Sequence, residues 1–167
     1  MEREDSSQLS SKSKATLEVR SDVEVVMSRV FDAPRAMLFK VYTDAQHIPH
    51  WWGPRRLKTT VDKLELRVGG TWRFVQHDVN GKQFAFSGEF KEVVEPSRLV
   101  YTFEFEAMPG HVIVETVTFE ENRGKTTVTA TALFQNILDR DGMLNSGMEE
   151  GATESWDRIA ELLAKLN

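Results

Sequence analysis

The hydrophobic period of the chain changes along its length. Val23 to Phe31 is short, rich in β-branched residues and alternating, which predicts a strand. Asp32-Ala33-Pro34 ends it and opens a helix that runs to about Tyr42. Asp32 is placed to cap free N–H groups, and Pro34 sits in the first turn, where it has no bond to lose. Met37, Leu38 and Val41 share one face of that helix. Thr43 and Gln46 have capping-box spacing for a second, shorter helix, limited by Pro49. From Leu57 to Phe134 the period is two. Leu57 to Val68 reads as one strand or two short ones, closed by Gly69-Gly70 as a turn or bulge. In the next strand Trp72, Phe74 and Gln76 face one way. Asn80-Gly81 is a hairpin signal. Phe86, Gly88 and Phe90 then share a face, followed by Leu99, Tyr101, Phe103 and Phe105. After Pro109-Gly110 come His111, Ile113, Glu115, Val117 and Phe119, and after Asn122-Arg123-Gly124 come Val128, Ala130, Ala132 and Phe134. The helical period returns near the C-terminus. Asp139 to Asn145 makes a short helical turn. Ser146 and Glu149 then form a capping box for a long helix to about Leu166, with the stripe Met148, Ala152, Trp156, Ile159, Leu163 and Leu166.

Strands joined by such short turns pair antiparallel and bury one face. Only the last helix is long and apolar enough to cover that face. The expected fold is α+β, a helix grip. A curved antiparallel sheet of about six or seven strands wraps a long C-terminal helix, with two short helices after the first strand. The helix is uneven. Ile159, Leu162, Leu163 and Leu166 can plug one end of the grip, whereas Gly151, Ala152 and Ser155 cannot fill the other. Aromatic strands facing small helix residues predict an internal pocket, the usual form of a small-molecule site. The competing expectation is a solid core closed by Met143, Met148 and the phenylalanines.

Composition narrows the function. With 167 residues, the chain is long enough to bury a core without metal or disulfide staples. Lys plus Arg is 21 and Asp plus Glu is 26, a net charge of −5, which argues against a dedicated nucleic-acid binder. There is no cysteine, so thiol catalysis, thiolate metal sites and disulfides are excluded. Residues 1–16 are serine- and charge-rich and are expected to be a disordered tail, leaving residues 17–167 as one domain. The tail lacks the apolar core of a secretory signal, and no apolar run approaches a membrane span, so a cytoplasmic protein is expected.

The candidate chemistry is sparse. His47 and His50 are too few for a metal site, and neither a metal nor a cofactor is expected. Gly69-Gly70 lacks the residues of a phosphate loop. Glu115 and His111 are the weak candidates for catalysis, because a carboxylate in an apolar cavity has a raised pKa. They lie about 13 Å apart along one strand and form no dyad. A polar contact to a ligand is the better expectation, with a salt bridge from Glu115 to Arg29 or Arg73 as the structural alternative. The inward Gln76 and Tyr101 need a partner, which a ligand, a water or each other can supply. The expected ligand-binding set is Trp52, Trp72, Phe74, Gln76, Phe86, Tyr101, Phe103, Phe105, His111, Ile113, Glu115, Met148, Ala152 and Trp156. Core packing is the competing role for Trp156.

The segments Arg29-Val30-Phe31-Asp32-Ala33-Pro34, His50-Trp51-Trp52-Gly53-Pro54, Arg67-Val68-Gly69-Gly70-Thr71-Trp72, Ser87-Gly88-Glu89-Phe90 and Ser146-Gly147-Met148-Glu149-Glu150-Gly151 occur in that order. Their spacing resembles the activator of heat-shock protein ATPase homologue family of the START-like, or SRPBCC, superfamily. The resemblance spans about residues 23 to 166 and implies the helix-grip fold. It also implies three functions: binding of a small hydrophobic molecule such as a lipid, polyketide or aromatic metabolite; activation of a chaperone ATPase through a protein–protein contact; or cyclase and dehydratase chemistry. The first is expected here, in a non-enzymatic monomer or weak homodimer, with a chaperone as the alternative partner.

Overall fold

In the computed structural model, which describes residues 14–166, the alternating stretch becomes a meander. The strands are β1 (Thr16–Val19), β2 (Glu24–Phe31), β3 (Lys58–Leu64), β4 (Thr71–His77), β5 (Gln83–Val94), β6 (Arg98–Phe105), β7 (Ile113–Asn122) and β8 (Lys125–Leu133). They form one eight-stranded sheet in the order β1-β2-β8-β7-β6-β5-β4-β3, antiparallel throughout. After β2 the chain crosses through helix α1 (Arg35–Thr43) and a 3₁₀ turn (Ile48–His50) to the far edge. It then meanders back until β8 pairs with β2, setting Val25 opposite Ala132 and Phe31 opposite Thr126. Helices α2 (Ile137–Asn145) and α3 (Met148–Leu166) follow. This is the expected helix grip, with more strands than expected.

The additional strand is β1. It has four residues, mostly exposed, and pairs with β2 from Thr16↔Ser28 to Val19↔Val25. An edge strand this short and solvated leaves little alternation to detect. Of the tail expected at residues 1–16, residues 1–13 lie outside the described residues, and Thr16 already stands in β1.

The expected caps are corrected. Pro34, not Asp32, occupies the N-cap of α1, without a side-chain cap. The Arg35 amide instead donates to Glu121 Oε1 at 3.0 Å, while Asp32 pairs with Lys125. Thr43 donates back to the Phe39 carbonyl, so the expected second helix shrinks to the 3₁₀ turn. Ser146 closes α2 by donating to the Met143 carbonyl rather than opening α3. The start of α2 is capped by Asn136, whose side chain accepts from the Asp139 amide at 2.8 Å.

The core gathers where α1 and the C-terminal half of α3 meet β2, β7 and β8. Leu38, Phe39, Val117, Phe119, Val128, Ile159 and Leu163 are buried there. Phe39 meets Phe119 edge-on at 5.6 Å, and Phe31 meets Trp156 at 5.9 Å. Arg29, on β2, is buried beside them. Its guanidinium lies 5.0 Å from the Phe31 ring centre and pairs with Asp157 of α3 at 2.7 Å.

Gly88 sits in the middle of β5, opposite Trp72 of β4. A Cβ there would lie 1.8 Å from the Thr102 carbonyl oxygen and 2.6 Å from Trp72 Nε1. Neither the backbone of β6 nor a buried indole can retreat cheaply. Gly88→Ala is therefore expected to destabilise the protein by about 3 kcal/mol or more, read as the shift in a denaturant midpoint. An unchanged midpoint would contradict this packing.

Candidate functional site

The N-terminal half of α3 does not fill the grip. A hollow of about 360 Å³ lies between it and the sheet, lined by Met148, Gly151, Ala152, Ser155 and Trp156 on the helix side. Strands β4, β5 and β6 supply Trp72, Phe74, Gln76, Phe86, Phe90, Tyr101 and Phe103. Strands β7 and β8 supply Ile113, Glu115, Val117, Ala130 and Ala132, and Met143 of α2 closes one side. The wall is mainly apolar, as in small-molecule sites of this size.

The aromatic side is built around Trp52. Its ring meets Phe74 and Phe86 edge-on, each at 5.2 Å, and Trp72 at 6.4 Å. Trp52 is held by the loop that carries it. Trp51 Nε1 donates to the Val41 carbonyl at 2.9 Å, and Thr59 Oγ1 donates to the Trp52 carbonyl at 2.6 Å. The next residue is clamped to α3 at both its backbone groups. The Gly53 amide donates to Ser155 Oγ at 2.9 Å, and its carbonyl accepts from Arg158 Nη1 at 2.8 Å. Gly53 has φ +91°, and a Cβ there would fall 1.9 Å from Gln76 Nε2, so only glycine fits.

Four polar side chains meet the hollow besides Ser155: Tyr42, Gln76, Tyr101 and Glu115. Tyr101 stands directly opposite Glu115 across the β6–β7 pair. Tyr42 reaches in from α1, and its hydroxyl accepts from Trp156 Nε1 at 2.8 Å, leaving its own proton free to donate. Glu115 is the only Asp, Glu, Lys, Arg or His among the described lining residues. Its carboxyl has no hydrogen-bond or ion-pair partner among the described residues. Burial pushes it up to about 7, with no cation to pull it back. Burial first, and then the Glu115 charge, hold the Tyr101 hydroxyl well above the usual phenol range. Tyr42 is raised mainly by burial, against the Trp156 hydrogen bond. At neutral pH the two tyrosines are proton donors, and Glu115 is divided between its acid and carboxylate forms.

The structure brings Trp52, Trp72, Phe74, Gln76, Phe86, Tyr101, Phe103, Ile113, Glu115, Met148, Ala152 and Trp156 together around the hollow. Two expected residues stand elsewhere. Phe105 is stacked on Phe86 at 5.0 Å, beyond the lining. His111 precedes the start of β7, is exposed, and lies with Nδ1 2.9 Å from Asp139 Oδ1. Both follow from extending an ideal alternation past the point where the sheet bends or the strand ends. The salt bridges offered as the alternative for Glu115 are also absent. Arg29 pairs with Asp157, and Arg73 with Glu106 and Asp62. The sequence reading missed Tyr42, which belongs to a helix assigned to packing, and Trp51, Gly53 and Phe90. The only signal for Tyr42 was its place at the end of α1, pointing back under the sheet. Among the described residues no group of three or more His, Cys, Asp or Glu is placed to hold a metal ion.

Comparison with known proteins agrees with this architecture. The family model described as Activator of Hsp90 ATPase homolog 1-like protein matches residues 32–164. Ms6760 from Mycobacterium smegmatis is 25% identical with a TM-score of 0.81, over 89% of this chain and 96% of that one. A Rhodobacter sphaeroides protein is 20% identical with a TM-score of 0.86, over 91% and 99%. The AHSA1 protein from Silicibacter pomeroyi is 23% identical with a TM-score of 0.71, over 86% and 99%. These likenesses carry the fold. No protein of curated function matches the sequence. No helix among the described residues is long and apolar enough to cross a membrane.

The isolated acid makes stability depend on pH. The folded value of about 7 lies above the ordinary 4.5 of an unfolded glutamate. Between the two, the folded state holds a proton that the unfolded state has lost, so the contribution of Glu115 to stability falls as pH rises through that window. Glu115→Gln stays neutral. Its stability should equal the parent's near pH 4.5 and exceed it by roughly 3 kcal/mol above about pH 8. Thermal unfolding across that range checks this, and a difference independent of pH contradicts it.

Proposed function

The chain belongs to the family of Activator of Hsp90 ATPase homolog 1-like proteins, and on that premise we propose that it binds one small hydrophobic molecule in the hollow between sheet and C-terminal helix. The observation that carries this reading is the mismatch in side-chain size. Gly151, Ala152 and Ser155 face a wall of aromatic rings across about 360 Å³. A ligand body of two or three fused rings, or a short lipid chain, fits that volume and meets edges and faces of Trp52, Trp72, Phe74 and Phe103. Its polar end meets Glu115, Tyr42, Tyr101 and Gln76. Twelve of the fourteen ligand-binding residues expected from the sequence belong to this proposed site.

The family description favours a second reading, a module that activates a chaperone ATPase. Such a role needs a surface that a large partner can cover. The outer face of the sheet carries paired charges, Arg73 with Glu106, Arg98 with Glu92 and Lys91 with Glu89, beside the exposed Val30, Val94 and Leu133. That favours the internal site over an external one. Cyclase or dehydratase chemistry needs a second acid or base converging with Glu115, and the described lining offers only hydroxyl and amide groups.

The neutral fluorophore N-phenyl-1-naphthylamine tests the hollow. We expect saturable binding to one site, with an emission increase, because a dry aromatic wall replaces water around the dye. Ala152→Phe places a ring inside the hollow and should weaken that binding by at least about tenfold while thermal unfolding stays cooperative. No saturable binding by the parent, or unchanged binding by Ala152→Phe, overturns the proposal.

A further inference from the structure

The head group of the ligand can be narrowed, on the premise above that the hollow holds a ligand. Its described lining contains one carboxyl and no Lys, Arg or His. An anionic head group entering it would shed its water beside an acid and find no cation in return. Fatty acids, phosphates and sulfonates therefore fit poorly.

What surrounds Glu115 points to the opposite charge. Tyr101 faces it from β6, Ala132 stands opposite it on β8, and Tyr42 approaches from α1. The Tyr101 ring lies 5.9 Å from Trp72, and the Tyr42 ring 4.8 Å from Trp51. On α3 the nearby residue is Trp156, which spends its N–H on Tyr42. The charged groups of the elements packed around the grip are committed elsewhere: Arg29 of β2 to Asp157 of α3, and Arg158 to the Gly53 carbonyl. Glu115 is thus a partly buried acid without a cation of its own, flanked by Tyr101 and Tyr42. Carboxylates paired with aromatic walls are the chemistry that holds organic cations.

We propose that the hollow selects a hydrophobic amine, an aromatic or alicyclic body bearing an ammonium group, with Glu115 as its counter-ion and Tyr42 and Tyr101 flanking the pair. The ammonium supplies the charge the site lacks, and the rings supply the apolar surface and the cation–π contact. A proton leaves Glu115 as the ammonium enters, since the free carboxyl titrates near 7. Amine affinity therefore rises from pH 6 to pH 8, and binding at pH 6 releases a proton to the buffer. A neutral acceptor such as a ketone would bind the protonated acid and show the reverse trend.

Three probes with one body separate the head groups: 2-naphthylmethylamine, 2-naphthylmethanol and 2-naphthoate, titrated calorimetrically into the parent protein. At pH 8 the amine should bind at least about tenfold more tightly than the alcohol, and naphthoate most weakly. Amine affinity should drop about tenfold on going from pH 8 to pH 6. Glu115→Gln should erase the preference for amine over alcohol, with thermal unfolding confirming its fold. Tyr101→Phe keeps the acid and should keep the preference for amine over alcohol. Alcohol or naphthoate binding as tightly as the amine overturns the head-group assignment and leaves the hollow a ligand site. So does binding of N-phenyl-1-naphthylamine without any of the three probes. Failure of all four molecules instead removes the underlying reading of the hollow.

Discussion

A sheet bent around a helix encloses more volume than the helix occupies, and side chains must make up the difference. At the C-terminal end of α3 they do. Ile159 and Leu163 are buried against Phe119, Val128 and Leu38. At the other end α3 presents Gly151, Ala152 and Ser155, and the sheet presents rings that lean on one another rather than on the helix. Edge-to-face packing among Trp52, Trp72, Phe74 and Phe86 gives the wall its own cohesion, so it does not need α3 to hold its shape. A collapsed wall would surrender those ring contacts to gain contact with three small residues.

Two kinds of contact fix α3. The buried Arg29 pairs with Asp157 and holds the helix to β2. The loop after the 3₁₀ turn is fixed to the helix by hydrogen bonds and by Arg55, which pairs with Glu154 and Glu161. Gly53 is bound by its amide to Ser155 and by its carbonyl to Arg158. This ties Trp51 and Trp52 to the helix without filling the space between helix and sheet. Orientation of the aromatic wall and emptiness of the hollow are produced by one loop, and both depend on a residue without a side chain at position 53. A site whose walls are held by their own hydrogen bonds loses little freedom when a ligand enters.

Most of this was legible in the sequence because a strand period of two and a helix stripe are long-range signals repeated over many residues. The strand faces of Trp72, Phe74, Phe86, Tyr101 and Phe103 follow from alternation alone. The small half of α3 was visible as a run of small residues. What failed was local. β1 is short, solvated and at an edge, so it carries almost no pattern. Ser146 and Thr43 have the spacing of caps, yet each spends its hydroxyl on a preceding carbonyl. Spacing fixes which bonds are within reach, not which of several acceptors wins. Straight-strand alternation puts His111 and Phe105 on the inner face, but His111 precedes β7 and Phe105 stacks on Phe86. Tyr42 carries no strand signal, because a helix residue enters a sheet cavity only through a crossover angle that a linear pattern does not record.

The electrostatics of the chain sharpen the contrast between its two surfaces. Three acids of the outer face find cations: Glu106 with Arg73, Glu92 with Arg98, Glu89 with Lys91. Even the buried charge Arg29 has a carboxylate. Glu115, on the inner face, has no cation among the described residues, in a protein with 21 basic residues. A leucine or glutamine there would satisfy the packing at less electrostatic expense, since removing an uncompensated buried charge is generally stabilising. The fold therefore gives no reason for an acid at that position, and the neighbouring tyrosines do not neutralise it. The unpaired acid joins the Trp72 indole N–H, which is buried without a hydrogen-bond partner among the described residues, as a polar feature of the lining that hydrophobic packing does not account for.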